Sequence, residues 1–363
     1  MAKVRVMIVE DSRVVREFLT YLIGRDPRLE VAAAVDSGEE ALRILDRVSP
    51  DVISMDIRLP GMNGFEATQQ IMARKPTPIV VVSASVEAED LKISMNALRA
   101  GALAVVEKPA GTSHPEYEAL ATRLCTQLFI MSQVKVIRHR IDRGLTFTKE
   151  EGKRMEESAK ICSSHSPFRQ SPSSFRMLGL VASTGGPSAL TKLLAGLPQK
   201  FPVPILLVQH ITASFLDGFV SWLGTVIPFS VRLAREGEVP AAGIVYLPPV
   251  DRHLEVEGGC LRLTQRDPVC LQRPSGSVLF QSMARDLGSS ALGVLLTGMG
   301  EDGAEGLNEI RERGGYTIAE DESTAIVYGM PAAAVRLGGV CELLPLHEIA
   351  PRIVEMVAMK GVA

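Results

Sequence analysis

No apolar run in the chain approaches the ~18 residues that a membrane-spanning helix needs. Its first residues, MAKVRVMIVE, enter a strand-like pattern with no secretory h-region, so a cytoplasmic location is expected. Cysteine is sparse. The five cysteines (Cys125, Cys162, Cys260, Cys270 and Cys341) are scattered, with no C-x-x-C pair and no histidines beside them at zinc-ligand spacing. They read as reduced and structural. Internal repeats and low-complexity arrays are missing, and so is a folded basic module of the kind that reads nucleic acid.

What is present suggests two cores. The 363 residues exceed the usual ~150-residue domain more than twofold, and 46% hydrophobic with 22% charged residues is a soluble globular composition. The net charge of -3 is unevenly spread. Residues 1–131 carry 15 basic and 18 acidic side chains, residues 132–176 carry 10 and 5, and residues 177–363 carry 14 and 19. A basic middle between two acidic halves disfavours a DNA-binding function.

In the first 131 residues, short runs such as VRVMIV, VAAAV, DVISM, PIVVVSA and AVVE alternate with amphipathic stretches such as EEALRILDRV. This alternation predicts a doubly wound α/β fold with a parallel sheet covered on both faces. Polar chemistry sits where such strands end: Glu10 and Asp11 after the first, Asp56 after the third, Ser83 after the fourth and Lys108 after the fifth. Carboxylates gathered there suit Mg²⁺, and one of them can accept a phosphoryl group. Any one of these acids alone reads as a solvated strand end. As a set, with Pro60, Gly64, Ala84 after Ser83 and Pro109 after Lys108, residues 1–128 resemble the receiver domain of bacterial response regulators.

That resemblance implies a flavodoxin-like receiver in which Asp56 takes phosphate from a histidine kinase. Glu10, Asp11, Asp56 and the Arg58 carbonyl would serve Mg²⁺, and Ser83 and Lys108 would bind the phosphoryl oxygens and report them. Many receivers carry an aromatic residue three positions before the lysine, where this chain has Val105.

Residues 129–176 form the expected linker, which loses the alternation, carries the basic excess and ends in SSHSPFRQSPSS. A solvated connector and a basic docking segment both remain open there.

In the second half, MLGLVA ends at Ser183 and leads through TGGP into a helical stretch, a turn in which glycines let a hydroxyl project beside helix N–H groups. PVPILLVQH ends at His210, and ALGVLLTG leads into MGEDGAEGL with Asp302. Singly, these read as a helix cap or phosphate turn, a structural histidine and a loop cap. Together they supply a nucleophile, a base and an orienting carboxylate. The order Ser, His, Asp and the lack of G-x-S-x-G argue against an ordinary lipase or protease.

The set VASTGGP, VQHI, LLTGMGEDGAEGL and DESTAIVYGMP resembles the catalytic domain of the chemotaxis protein-glutamate methylesterases, the CheB family, over residues 177–360. The resemblance implies an α/β doubly wound catalytic domain with Ser183 as nucleophile, His210 as general base and acid, and Asp302 as its carboxylate. It also implies Thr184 as a partner of the histidine and the Met299 N–H as an oxyanion donor. The implied reaction is hydrolysis of glutamate γ-methyl esters on chemoreceptor cytoplasmic helices, with glutamine deamidation by the same triad and control by the receiver. No catalytic metal is expected in this half, where Glu320, Asp321 and Glu322 lack histidine or cysteine partners. His253 reads as structural. The PSGSVLF run replaces a PSVDVLF-like one, so no substrate contact is carried over to Gly276 and Ser277. A non-catalytic binding module and a receiver-controlled esterase outside chemotaxis are the rival readings.

Overall fold

Short runs of apolar, often β-branched residues become strands, buried on both sides at the centre of the sheet and less so at its edges. In the first domain these are Val4–Val9 (β1), Leu29–Val35 (β2), Val52–Asp56 (β3), Ile79–Ser83 (β4) and Ala104–Glu107 (β5). They form one parallel sheet in the order β2-β1-β3-β4-β5. The computed structural model describes residues 2–83, 96–98, 100–108, 117–134, 136 and 175–358. Ala84, Pro109, Cys162 and most of the expected linker lie outside the described residues.

Helices Arg13–Gly24, Gly38–Val48, Gly64–Arg74 and Tyr117–Met131 connect or flank these strands. The third opens with a reciprocal capping box, in which Asn63 Oδ1 accepts from the Glu66 N–H at 2.9 Å and Glu66 Oε2 accepts from the Asn63 N–H at 3.3 Å. The chain order reverses between β1 and β3, and the crevice at that reversal collects the residues after both strands.

The second domain contains Met177–Ala182 (β6), Ile205–Gln209 (β7), Ser230–Leu233 (β8), Ile244–Leu247 (β9), Ala291–Leu295 (β12), Tyr316–Glu320 (β13) and Glu342–Leu344 (β14). All pair in parallel, in the order β14-β13-β12-β6-β7-β9-β8. His253–Glu257 (β10) and Cys260–Thr264 (β11) form a separate antiparallel hairpin. It is tied to helix Gly276–Leu287, where Asp286 accepts from the N–H groups of Gly258 and Gly259 at 2.6 and 3.0 Å. Both sheets are therefore doubly wound, as the alternation predicts. The reversal in the second lies between β6 and β12, and Ser183 follows β6 directly.

Among the described residues no helix is long and apolar enough to cross a membrane. Cys125, Cys260, Cys270 and Cys341 are free thiols, the first buried and the last two exposed.

Candidate active site and phosphoryl-acceptor site

β6 and β7 pair so that Ala182 lies opposite Gln209, which brings the next residues, Ser183 and His210, to neighbouring strand ends. The pairing continues one step further, with the His210 N–H donating to the Ala182 carbonyl at 3.1 Å. Ser183 is fixed from the other side by its N–H, which donates to the Thr297 carbonyl beyond β12 at 3.0 Å. Ser183, Thr184 and His210 line one cavity of about 80 Å³.

Asp302 completes the set. Its Oδ2 lies 2.8 Å from His210 Nε2, which leaves Nδ1 as the ring nitrogen able to take a proton from serine. The carboxylate is 2% exposed, so its charge needs compensation from the protein. Burial alone would raise its pKa, but the hydrogen bonds from His210, Ser275 and the Gly276 amide together outweigh it, and the group is held below the usual carboxylate range.

The other donors come from the start of helix Gly276–Leu287. Ser275 Oγ donates to Asp302 Oδ1 at 2.6 Å, the Gly276 N–H to Oδ2 at 2.6 Å and the Ser277 N–H to Oδ1 at 3.1 Å. A helix N-terminus with its unpaired N–H groups suits an anion, and here that anion is the aspartate itself. Ser277 Oγ also accepts from the Gly303 N–H at 2.8 Å and so anchors the loop carrying Asp302. Sequence reasoning left Gly276 and Ser277 without a role. Their backbone groups do this work, and a backbone donor leaves little trace in residue identity.

Only glycine fits at 276. A Cβ there would lie 2.3 Å from Val181 Cγ1, inside the strand that presents Ser183. Gly276→Ala is expected to lower stability by about 1–3 kcal/mol through overpacking. Urea unfolding measures the loss, and unchanged stability would mean that β6 yields without cost. Gly298 is under the same constraint, because a Cβ there would lie 2.2 Å from Met330 Sδ and 2.7 Å from Ser183 Cβ. Met299, the next residue, is half exposed at this edge of the site.

At the first sheet's reversal, the carboxylate oxygens of Glu10, Asp11 and Asp56 come within 4.8 Å of one another. Lys108 Nζ bridges two of them, 2.8 Å from Glu10 Oε2 and 3.0 Å from Asp56 Oδ2. Burial would lower the lysine's pKa, but the charge of Asp56 and the contact with Glu10 raise it on balance. Burial and the Asp56 charge push Glu10 up, against Lys108. Ser83 is buried at the end of β4, and its carbonyl accepts the Lys108 N–H at 2.9 Å. An all-oxygen cluster of small span fits Mg²⁺, which takes a few carboxylates and completes its shell with water and phosphate oxygens.

Family models match both halves, the response regulator receiver domain over residues 6–115 and CheB methylesterase over residues 178–353. The protein-glutamate methylesterase/protein-glutamine glutaminase 2 of Paramagnetospirillum magneticum is 55% identical over 351 residues, covering 97% of this chain and 97% of that protein. This chain belongs to the CheB methylesterase family. A relative of the same designation from Nitrosospira multiformis is 43% identical over 99% of this chain and 98% of its own length. The crystal structure of the Thermotoga maritima CheB methylesterase catalytic domain matches 51% of this chain and 100% of its own at 33% identity, with a TM-score of 0.49.

Two supporting residues of this family member escape a motif reading. Gln209 is buried beneath the site, and its Nε2 donates to the carbonyls of both Ser183 (2.9 Å) and His210 (3.0 Å), bridging the two turns. Its place in the VQHI run, before the candidate histidine, was the signal for it. Glu320 is fully buried at the end of β13, where Oε2 accepts the Thr297 N–H at 2.8 Å. Burial pushes this carboxyl up.

The receiver reaches the same cavity. Leu103, Val105, Arg123 and Gln127 line it opposite Ser183 and His210. Ile326 and Val327 of the second domain pack against the receiver core. Among the described residues a polar bond joins the domains here, from Ser214 Oγ to Glu107 Oε2 at 2.9 Å. Burial pushes the neighbouring Arg123 guanidinium down, against the Glu107 charge.

Proposed function

We propose that Ser183, His210 and Asp302 hydrolyse the γ-methyl esters of glutamates on the cytoplasmic helices of chemoreceptors, releasing methanol, and that phosphorylation of Asp56 controls access to them. The same chemistry applied to receptor glutamines releases ammonia. The observation that carries the reading is a buried carboxylate with four converging donors, one of them the imidazole that stands beside Ser183 at the next strand end. An ionised, oriented aspartate is what a serine–histidine pair needs.

In this mechanism Ser183 Oγ attacks the ester carbonyl while its proton passes to His210 Nδ1, and Asp302 stabilises the resulting imidazolium. The oxyanion is met by the Met299 N–H, a donation worth ~3 kcal/mol in such reactions. His210 returns the proton to the departing methoxide. Water then attacks the acyl-enzyme, giving up a proton to His210, and the glutamate carboxylate leaves as Ser183 is reprotonated. Thr184, beside both residues in the cavity, helps to orient the histidine.

In the receiver, a histidine kinase supplies the phosphoryl group. Glu10, Asp11 and Asp56 with the Arg58 carbonyl would hold Mg²⁺, which when bound neutralises charge on the phosphoryl oxygens. Lys108 and Ser83 then engage those oxygens. Glu107 precedes Lys108, and its bond to Ser214 lies at the start of helix Ala213–Val226, four residues after His210. A change at Lys108 is therefore felt at the domain interface through one peptide unit.

Removing the interdomain bond should loosen the closed form. Ser214→Ala is expected to raise hydrolysis without phosphodonor about tenfold, the equivalent of one hydrogen bond to a carboxylate, and to shrink stimulation by phosphodonor accordingly. Initial rates with and without acetyl phosphate decide it, and an unchanged basal rate would exclude Glu107–Ser214 as a latch.

The substrate assignment is tested on receptor fragments carrying glutamate γ-methyl esters. Mass spectrometry should show loss of one methylene per site with wild type. Esters that persist while a small aryl ester is cleaved would point to an esterase acting outside chemotaxis.

A further inference from the structure

We propose that His253 is a positioning residue for the triad, acting through Ser275 on Asp302. The inference rests on the assignment of Ser183, His210 and Asp302 made above.

His253 opens β10 and is fully buried, with both ring nitrogens engaged. Nε2 lies 3.2 Å from the Asp267 carbonyl, and Nδ1 lies 3.2 Å from the Ser275 nitrogen. A carbonyl only accepts and a backbone N–H only donates, so these partners select one neutral tautomer, with hydrogen on Nε2 and a lone pair on Nδ1. The histidine thus accepts from the N–H of the residue whose hydroxyl donates to Asp302 Oδ1 at 2.6 Å.

The link matters because of where Ser275 stands. It is the extended N-cap of helix Gly276–Leu287, with φ -114° and ψ 135°, so its own N–H points away from the helix it caps. Ser275 is fully buried. Without the Nδ1 acceptor this N–H would be a buried donor with no partner, a state that costs free energy until the peptide turns. Turning it moves the same residue's hydroxyl off Asp302. Arg273, two residues before Ser275, is tied to the histidine's surroundings as well, since its Nε bonds Asp251 Oδ1 at 2.7 Å, two residues before His253. His253 touches neither Ser183 nor His210 among its recorded partners, and its effect passes along one path: Asp267 carbonyl, His253, Ser275, Asp302, His210.

The test is the rate at which a fluorophosphonate labels Ser183 in the full-length protein with acetyl phosphate and Mg²⁺. Labelling forms a bond from Ser183 Oγ to phosphorus, expels fluoride and gives the serine proton to His210, so it reads triad alignment without the natural substrate. His253→Leu removes the Nδ1 acceptor, and His253→Gln loses it too while keeping a donor near the Nε2 position. Each should label about tenfold more slowly, as should Ser275→Ala, from the loss of one hydrogen bond to a charged group. The double variant His253→Leu/Ser275→Ala should be no slower than Ser275→Ala, because both changes cut one path. His253→Asn, whose Oδ1 can occupy the Nδ1 position, should recover to within about threefold of wild type.

A purely structural histidine would give losses that multiply in the double variant and no recovery with asparagine, and that outcome overturns the proposal. Wild-type labelling rates in both His253→Leu and His253→Gln overturn it as well. A wild type that resists labelling at Ser183 overturns the triad assignment itself, and the His253 proposal with it. If His253→Leu does not fold, His253→Gln set against His253→Asn gives the same decision.

Discussion

Ser183→Ala is expected to lower ester hydrolysis by on the order of 10⁴-fold or more, down to what binding and oxyanion donation alone provide. The fold should be indifferent to the change. What holds residue 183 in place is backbone, its N–H on the Thr297 carbonyl and its carbonyl accepting from Gly186 and Gln209. Alanine keeps all three bonds, so the thermal melting curve should stay close to that of wild type. Steady-state hydrolysis of a chromogenic ester alongside that melt separates chemistry from stability. Retained activity in a folded Ser183→Ala protein would remove the nucleophile from the account.

Asp302→Asn should cost nearly as much, on the order of 10⁴-fold in kcat. Every recorded partner of this carboxylate is a donor: Ser275 Oγ–H, the Gly276 and Ser277 N–H groups and His210 Nε2–H. An amide must turn its own NH₂ toward two of them. If it faces Oδ2's partners, it meets Gly276 and forces His210 into the other tautomer, with a proton on the nitrogen that should receive one from serine. If it faces Oδ1's partners, it opposes the Ser277 N–H, while the Ser275 hydroxyl must turn round to accept. Either arrangement leaves buried donors unpaired, so a stability loss of about 1–3 kcal/mol should accompany the rate loss.

The pH dependence follows with a definite sign. Asp302 is held below its ordinary value in the folded protein, so its contribution to stability is present above the unfolded carboxylate pKa and is lost as pH falls through the lowered folded one. Asp302→Asn should flatten that part of the acid unfolding curve. An unchanged kcat together with an unchanged acid limb would show that the carboxylate does not orient His210.

Much of this was legible in residue types. Strand ends are readable because buried β-branched runs stop at polar residues, and in a doubly wound sheet those ends converge. Glu10, Asp56, Ser183 and His210 therefore announce themselves. The seven-stranded order was less accessible, because nothing local tells β12 to pair with β6 rather than with β9.

Support given by backbone was least legible. Gly276 and Ser277 matter for their N–H groups, and their identities answer a different demand, at 276 the closeness of Val181. Gln209 and Glu320 are polar residues buried at strand ends, and only the structure shows that one bridges Ser183 to His210 while the other holds Thr297. Val105 departs from the aromatic position of many receivers. It lies in the wall of the cavity shared with Ser183, a position in which a larger ring would fill space against the catalytic domain.

The central claim is that one chain couples a phosphoryl-accepting receiver to a serine hydrolase acting on receptor methyl esters. The most direct test follows labelled methanol released from methylated chemoreceptor membranes by wild type and by Asp56→Asn, each with and without acetyl phosphate and Mg²⁺. The account predicts that wild type releases methanol and does so faster with phosphodonor, while Asp56→Asn stays at the basal rate under both conditions. Equal stimulation of the two proteins would contradict control through Asp56, and no methanol from either would contradict the esterase assignment for these receptors.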